Sequence, residues 1–363
     1  MARNRLATAA RRSTRAPQRA AATGEPRDPA SASAETVGAF RPHPLLAHPH
    51  LQTLFPFFAR PLPALAIRRE RIELPDGDFV DLGWSGDDAL RDAPLAVLVH
   101  GLTGGFESKY LRGLAQSLVA RGWRTAMLQL RGGGDEPNRL PQSYHQGDTA
   151  DLRHVLRLLR RREQPSALAL VGWSLGGNIV LKAMGEEGDA APADFAAAAS
   201  VPFRLWPCVE RLRRGFSQNY QARMLTDLKL RMRKKHARVP APAGVDLAAA
   251  ERARDFVEYD EAYTAPINGF HSADDYYRRS ECAPFLAQIR RPTLIVHASD
   301  DPFMEPSIVP AAATLSPDVR LEVTARGGHV GFVASGRLGR PVYWLEQRLA
   351  AFLEDQRARL RAA

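Results

Sequence analysis

Residues 171–178 read VGWSLGGN. The apolar run SALALVG (166–172) leads into them, and the helical IVLKAM leads away. The order is strand, sharp corner, helix, with Ser174 at the corner between Gly172 and Gly176. A serine in an ordinary turn needs no such setting. A chain that reverses from strand to helix around a serine strains that residue and lifts its Oγ above the sheet edge. Gly172 and Gly176 lack side chains that would clash across the corner, and Gly177 lets the helix pack close. The helix N-terminus favours developing negative charge. A G-x-S-x-G string arises by chance in roughly one chain of this length in ten, so its surroundings decide.

Those surroundings repeat one pattern of short apolar run, loop and amphipathic helix. The runs are PLAVLVHG (94–101), RTAMLQLRG (124–132), SALALVG (166–172), AAAASVP (196–202), PTLIVHAS (292–299) and VRLEVTA (319–325). Helices are predicted at about 108–121, 148–163, 177–186, 307–315 and 338–358. Near-continuous apolar strands alternating with helices predict an α/β fold: a mostly parallel sheet covered on both faces. Upstream, IRRERIELPDGDFVDLGW predicts two strands joined at Asp76-Gly77. The alternation breaks once, over about 203–290, where the sequence is mostly helical. An insertion there belongs on the sheet rim, and at the carboxyl edge it forms a lid over the site.

A serine hydroxyl at neutral pH needs a histidine base and an acid that orients it. In this architecture the chain order is Ser, acid, His. HASDDPF (297–303) supplies Asp300 and Asp301 at a strand end, and GGHVGF (327–332) supplies His329 in a Gly-flanked loop after the last strand. Ser174, Asp301 and His329 are the predicted triad. Asp301 is preferred because it directly precedes Pro302; the other aspartate then caps or forms the turn. The oxyanion hole is expected from the backbone N–H groups of Leu175, after the nucleophile, and Leu102, in the Gly-rich loop LVHGLTGG (98–105). His100 is expected to brace that loop rather than act as a second base.

Composition limits other functions. The chain has 363 residues, 45% of them hydrophobic, with no apolar stretch long enough for a membrane span. Residues 1–24 hold six arginines and no acid, and residues 204–238 hold eleven lysines or arginines against Glu210 and Asp227. The net charge of +10 therefore resides in those two segments, and the remainder is acidic. Residues 1–38 are expected to form a disordered basic tail; their Arg-rich start also suits an organelle transit peptide. No nucleic-acid-binding signature is visible, so nucleic acid is not an expected partner. Cys208 and Cys282 have neither metal-like spacing nor a disulfide framework. Histidines and acids do not cluster at ligand spacings, and neither a P-loop nor a dinucleotide fingerprint is present, so no metal and no cofactor is expected. A cytoplasmic location is the expectation. The run LRMRKKHAR (230–238) reads as a solvated helix face, with peripheral contact to anionic lipid as the sharper alternative.

Several motifs together carry a family resemblance: HPHLQT (48–53), HGLTGGFESKY (100–110), RGGGDEPNR (131–139), YHQGDTADL (144–152), GWSLGGN (172–178), NGFHSADDYYRR (268–279), HASDDPF and GGHVGF. In this order they resemble the YheT-like branch of the α/β-hydrolase superfamily, over about residues 40–355. That branch includes bacterial hydrolases, animal membrane-associated lipid hydrolases and fungal ethyl-ester synthases. The resemblance implies a serine esterase with Ser174 as nucleophile, Asp301 as acid and His329 as base. It implies carboxylic esters of short or medium acyl chains, or acylglycerols, as substrates. The same scaffold also suits an alcohol O-acyltransferase, or a catalytically silent binding protein. Arg131, Asp135, Glu136, Asn138, Arg139, Tyr144 and His145 are expected to brace the structure, Asp148 to sit in a helix's first turn, and His50 and Gln52 to pack beneath the lid.

Overall fold

A computed structural model describes residues 37–90 and 92–362; the expected tail lies outside these up to residue 36. Eight strands form one sheet: β1 (Arg68–Glu73), β2 (Phe79–Ser85), β3 (Leu95–Val99), β4 (Arg124–Gln129), β5 (Leu168–Trp173), β6 (Phe195–Ala199), β7 (Thr293–Ala298) and β8 (Val319–Thr324). Their spatial order is β1-β2-β4-β3-β5-β6-β7-β8. β1 pairs antiparallel with β2, and β2 with β4; every later pairing is parallel. Gly77 closes the first hairpin with φ +85°, a left-handed conformation that glycine adopts freely.

The apolar strands are buried on both sides, as parallel strands must be. Along β3, Leu95, Val97 and Val99 face one core with Val155 and Leu159 of α3 (Ala150–Glu163) and Ile179 of α4 (Leu175–Glu187). Ala96 and Leu98 face the other, with Leu111, Leu114 and Leu118 of α2 (Lys109–Val119) and Leu349 and Leu353 of the C-terminal helix Trp344–Ala362. Ahead of the sheet lies α1 (Pro49–Phe58).

The segment between β6 and β7 is helical. It contains α5 (Leu205–Leu212), the 20-residue α6 (Ser217–His236) and several short helices, among them Ala273–Ser280 and the 3₁₀ helix Ala283–Gln288. It has its own core, built from Val209, Leu225, Met232, Phe256, Tyr263 and Tyr276 among others.

Three element expectations differ from the structure. Residues 307–315 form no α-helix but two single 3₁₀ turns, Pro306–Ile308 and Ala312–Thr314. Pro310, inside that span, removes an amide donor and its ring clashes with the preceding turn, which breaks the ladder. The last helix starts at Trp344 rather than near 338, because Pro341–Tyr343 pairs with Val333–Ser335 as a small antiparallel ribbon. Asp148 precedes α3; Asp151 is the acid in that helix's first turn.

The topology dictates where a site can form. β3 and β5 are neighbours, and the chain leaves them in opposite directions along the sheet, from β3 toward β4 and from β5 toward β6. Such a switch point opens a crevice at the carboxyl ends of the strands.

Candidate active site

Val99 of β3 pairs with Gly172 of β5. Two residues beyond each, Gly101 and Ser174 therefore stand side by side. A Cβ added to Gly101 would lie 3.2 Å from the Ser174 Cβ. The corner at Ser174 is strained, with φ +53° and ψ −123°, a conformation costly for a non-glycine residue. The surrounding glycines permit it. A Cβ on Gly172 would meet the Gly176 carbonyl oxygen at 2.3 Å, and one on Gly176 would meet those of Val99 and His100 at 2.4 Å.

Parallel pairing of β5, β6, β7 and β8 carries three further groups to the same edge. The Ser174 hydroxyl lies 3.0 Å from His329 Nε2, and His329 Nδ1 lies 2.8 Å from Asp301 Oδ2. Asp301 is 3% exposed, and its Oδ1 accepts from the Phe303 N–H at 2.8 Å. Asp300 turns away and accepts from the Gly328 N–H at 2.9 Å. Burial raises the Asp300 pKa above the usual carboxylate value. The predicted Ser174, Asp301 and His329 are thus brought together; the local turn bond to Phe303 is also made by Asp301, and Asp300 instead ties the strand end to the Gly328 loop.

The loop holding His329 is strained as well. Val330 has φ +60° and Phe332 φ +44°, rare for β-branched and bulky residues. Two of its braces, Gln52 and Thr53, lie in the HPHLQT motif, whose sequence does not reveal that role. The Val330 N–H donates to Ser200 Oγ at 2.9 Å, and the His329 N–H to Thr53 Oγ1 at 2.9 Å. Gln52 accepts from the Val333 N–H at 2.6 Å and donates to its carbonyl at 3.0 Å. Gln52 therefore pins the histidine loop instead of underlying the insertion. His50 does meet the insertion, with Nδ1 2.9 Å from the Tyr220 hydroxyl. The ring of Phe303 stacks on His329 at 3.9 Å between centroids; HASDDPF contained the residue, and only the fold supplies the stack.

The loop after β3 presents the Leu102 peptide. The Gly101 carbonyl accepts from His100 Nδ1 at 2.7 Å and from the Gly104 N–H at 3.0 Å. A trans peptide points its N–H opposite to its C=O, so these bonds fix the Leu102 N–H on the other side. Among the described residues neither the Leu102 nor the Leu175 N–H donates to a protein acceptor. His100 is fully buried; its Nε2 accepts from the Leu130 N–H at 3.2 Å. Burial lowers its pKa to about 4, so it is a neutral brace.

Most of the other family-like polar residues also brace, but Asp135 is exposed, makes no side-chain hydrogen bond among the described residues, and lines both of the spaces that meet at Ser174. Arg131 holds Asp151 with two bonds of 2.7 and 2.8 Å and reaches Asp76 at 2.6 Å. Asn138 Nδ2 and the Arg139 N–H both bond the buried Asp78. The Tyr144 hydroxyl accepts from the Thr103 N–H at 3.1 Å. Asn178 ties α4 to the insertion: it donates to the Ser280 carbonyl at 2.7 Å and accepts from the Cys282 N–H at 2.9 Å.

The basic run 230–238 is not a uniformly solvated face. Arg233 and Lys234 are exposed, but Arg231 and Lys235 turn inward. Lys235 donates to the Gln142 carbonyl and to Ser143 Oγ at 2.8 Å. Four residues apart on α6, the two cations share one face. A charge count along the sequence cannot reveal this.

Two spaces meet at Ser174. An inner cavity of about 390 Å³ lies beneath α5 and α6, with Leu205, Val209, Met224 and Phe256 in its wall. An outer groove of about 1300 Å³ runs past His329, with Phe57, Phe216 and Tyr220 in its wall. Among the described residues no group of three or more His, Cys, Asp or Glu side chains is placed to hold a metal, and no helix is long and apolar enough to cross a membrane. Cys208 and Cys282 are free and buried.

Comparison with known proteins agrees with this fold. The candidate esterase YheT of Escherichia coli (strain K12) is 41% identical over 305 residues, 84% of this chain and 89% of that protein. Human phospholipase ABHD3 is 28% identical over 289 residues, 78% of this chain and 70% of that protein. Among solved structures, the Pyrococcus furiosus esterase Pf2001 has a TM-score of 0.51 at 15% identity, covering 80% of this chain and 93% of that one, a likeness of fold. A family model described as "alpha/beta hydrolase fold" matches residues 94–334. The switch-point sheet and the sequence kinship converge: the chain belongs to the α/β-hydrolase fold family, in the branch that contains YheT.

Proposed function

We propose that the protein is a serine carboxylic-ester hydrolase working through an acyl-enzyme. Ser174 Oγ attacks the ester carbonyl carbon while His329 Nε2 takes the hydroxyl proton. Asp301 holds the imidazole in the tautomer with its proton on Nδ1 and stabilises the imidazolium. The negative oxygen of the tetrahedral intermediate sits against the Leu102 and Leu175 N–H groups, each worth about 2.7–4 kcal/mol of barrier. The C–O bond to the alcohol breaks, and the alcohol leaves with the proton from His329. Water then gives a proton to His329 and attacks the acyl carbon; collapse releases the acid and restores Ser174.

The observation that carries this reading is the unbroken relay Ser174–His329–Asp301, with contacts of 3.0 and 2.8 Å, beside two free backbone donors. The helical insertion acts as a lid, and its inner cavity takes the acyl chain. Its volume lies at the small end of ligand pockets, which favours short or medium acyl groups. The names of the relatives, an esterase and a phospholipase, support carboxylic esters as the substrate class. The wide outer groove also admits an alcohol in place of water, and transfer to added ethanol is the second reading.

Hydrolysis of p-nitrophenyl esters from acetate to palmitate tests the proposal, with Ser174→Ala alongside. Activity that peaks below the long chains and vanishes in the variant is expected. Equal inertness of both proteins, with no labelling of Ser174 by a fluorophosphonate, would overturn it. Ethyl ester formed in the presence of ethanol would establish the transfer reading.

A further inference from the structure

We propose that Arg231, on the lid helix α6, is a positioning residue that clamps the oxyanion loop and so couples lid placement to the catalytic step. The inference rests on the ester-hydrolase reading above.

The guanidinium crosses from the lid to the sheet edge. It donates to the Thr103 carbonyl at 2.9 Å, to that of Gly104 at 3.4 Å, and to that of Gly133 in the loop after β4. Its partners are 128, 127 and 98 residues away in sequence. One planar fork thus joins three separate parts of the molecule. Arg231 also lines both spaces that meet at Ser174.

The loop it holds needs holding. Thr103 has φ +58°, and a β-branched residue there is a genuine outlier. Its N–H is fixed by the Tyr144 hydroxyl and its C=O by Arg231. The preceding peptide, whose N–H is that of Leu102, is fixed through the Gly101 carbonyl. Without the guanidinium, Thr103 loses one of its two restraints and can relax toward negative φ. The Leu102 N–H would then swing away from the oxyanion. The positive charge of Arg231 also helps hold His100 neutral, after burial, and the neutral ring supplies the Gly101 bond.

Arg231 touches neither the reacting atoms nor the triad, so its signature differs from that of a triad residue. Arg231→Met and Arg231→Lys are compared with wild type and with the exposed control Arg233→Met. The measurements are kcat and KM on p-nitrophenyl butyrate, the inhibition constant of a short-chain trifluoromethyl ketone, and the melting temperature. We expect Arg231→Met to lose about 10- to 100-fold in kcat, less than or comparable to deletion of an oxyanion donor. KM should stay within about twofold, and affinity for the ketone, which forms a tetrahedral oxyanion, should fall in parallel with kcat/KM. Arg231→Lys, which keeps a cation on the loop, should recover part of the loss, and Arg233→Met should match wild type. In a Thr103→Gly background, where positive φ carries no penalty, Arg231→Met should lose less than in wild type.

An unchanged kcat in Arg231→Met, a loss confined to KM, or full ketone affinity despite lost kcat would each overturn the clamp. Should Arg231→Met fold poorly, Arg231→Lys carries the same comparison. If wild type hydrolyses no ester in the series, the ester-hydrolase reading fails first. The clamp is then judged by the rate at which a fluorophosphonate labels Ser174, and equal rates in wild type and variant would overturn it.

Discussion

Asp301 Oδ2 lies 2.8 Å from His329 Nδ1, while its neighbour Asp300 bonds the backbone N–H of Gly328. Adjacent carboxylates at the end of β7 thus have separate partners one residue apart in the opposing loop. Asp301→Asn should therefore lower kcat by about 10⁴-fold, since an amide favours the wrong imidazole tautomer. Asp300→Asn keeps an acceptor for Gly328 and should lose less than about 10-fold. Steady-state rates of the two variants decide the assignment; a larger loss in Asp300→Asn would reverse it.

Gln52 reaches the same loop from α1. Fully buried, it makes both hydrogen bonds to the Val333 backbone that a neighbouring strand would make. Gln52→Leu leaves the buried Val333 N–H without a partner, at about 1–3 kcal/mol, while the Val333 carbonyl keeps its bond from the His43 N–H. A lower urea midpoint should accompany a kcat reduced more than KM, because the strained loop that carries His329 loosens. Unchanged stability with unchanged kcat would show that the loop holds its shape without α1.

The acyl cavity gives a third expectation. Val209 of α5 is 7% exposed and lines the inner space next to Leu205 and Leu212. Val209→Phe puts a ring into that space. The chain-length optimum should move to shorter esters, with loss of about 10- to 200-fold on the longest chain accepted by wild type, the range for one methylene in a hydrophobic pocket. Acetate should be little affected. A uniform loss across the series would mean that the acyl chain lies in the outer groove.

These residues also mark what was readable in the sequence. The strand–Ser174–helix corner, the order of Ser, acid and His, and the alternation of apolar runs with helices are legible. The corner and each run are fixed within a few residues, and the chain order of Ser, acid and His follows from the fold class that they imply. Gln52, Phe303, Arg231 and Asn178 are different. Each acts on a partner roughly 26 to 281 residues away, and no spacing rule connects them. The basic run 230–238 shows the same limit: period-four geometry sends Arg231 and Lys235 inward and leaves Arg233 and Lys234 in solvent. At 307–315 the apolar pattern predicts a helix, but Pro310 within it overrides the pattern.

Stability should depend on pH through two groups buried in the lid wall. Burial raises the Asp260 pKa from 3.8 to about 7 and lowers that of Lys235 from 10.5 to about 7. Between pH 4 and 7 the unfolded chain ionises Asp260 while the folded one keeps its proton. Folding stability from this group is therefore full below about pH 4, falls as pH rises, and levels off above 7. Between pH 7 and 10.5 the unfolded chain keeps the Lys235 proton while the folded one has lost it. Stability from this group rises through that window and is lost as pH falls toward 7. The two opposite slopes meet near neutrality, where both groups weaken the fold. Asp260→Asn, neutral at every pH, should match wild type at pH 4 and be the more stable protein at pH 9, by at most roughly 4 kcal/mol, the full cost of ionising the buried carboxyl. Lys235→Met should abolish the rise above pH 7 while leaving the fall below it. Urea unfolding at pH 4, 7 and 9 measures both. An Asp260→Asn effect of equal size at all three values would mean that the carboxyl ionises in the folded protein as it does in water.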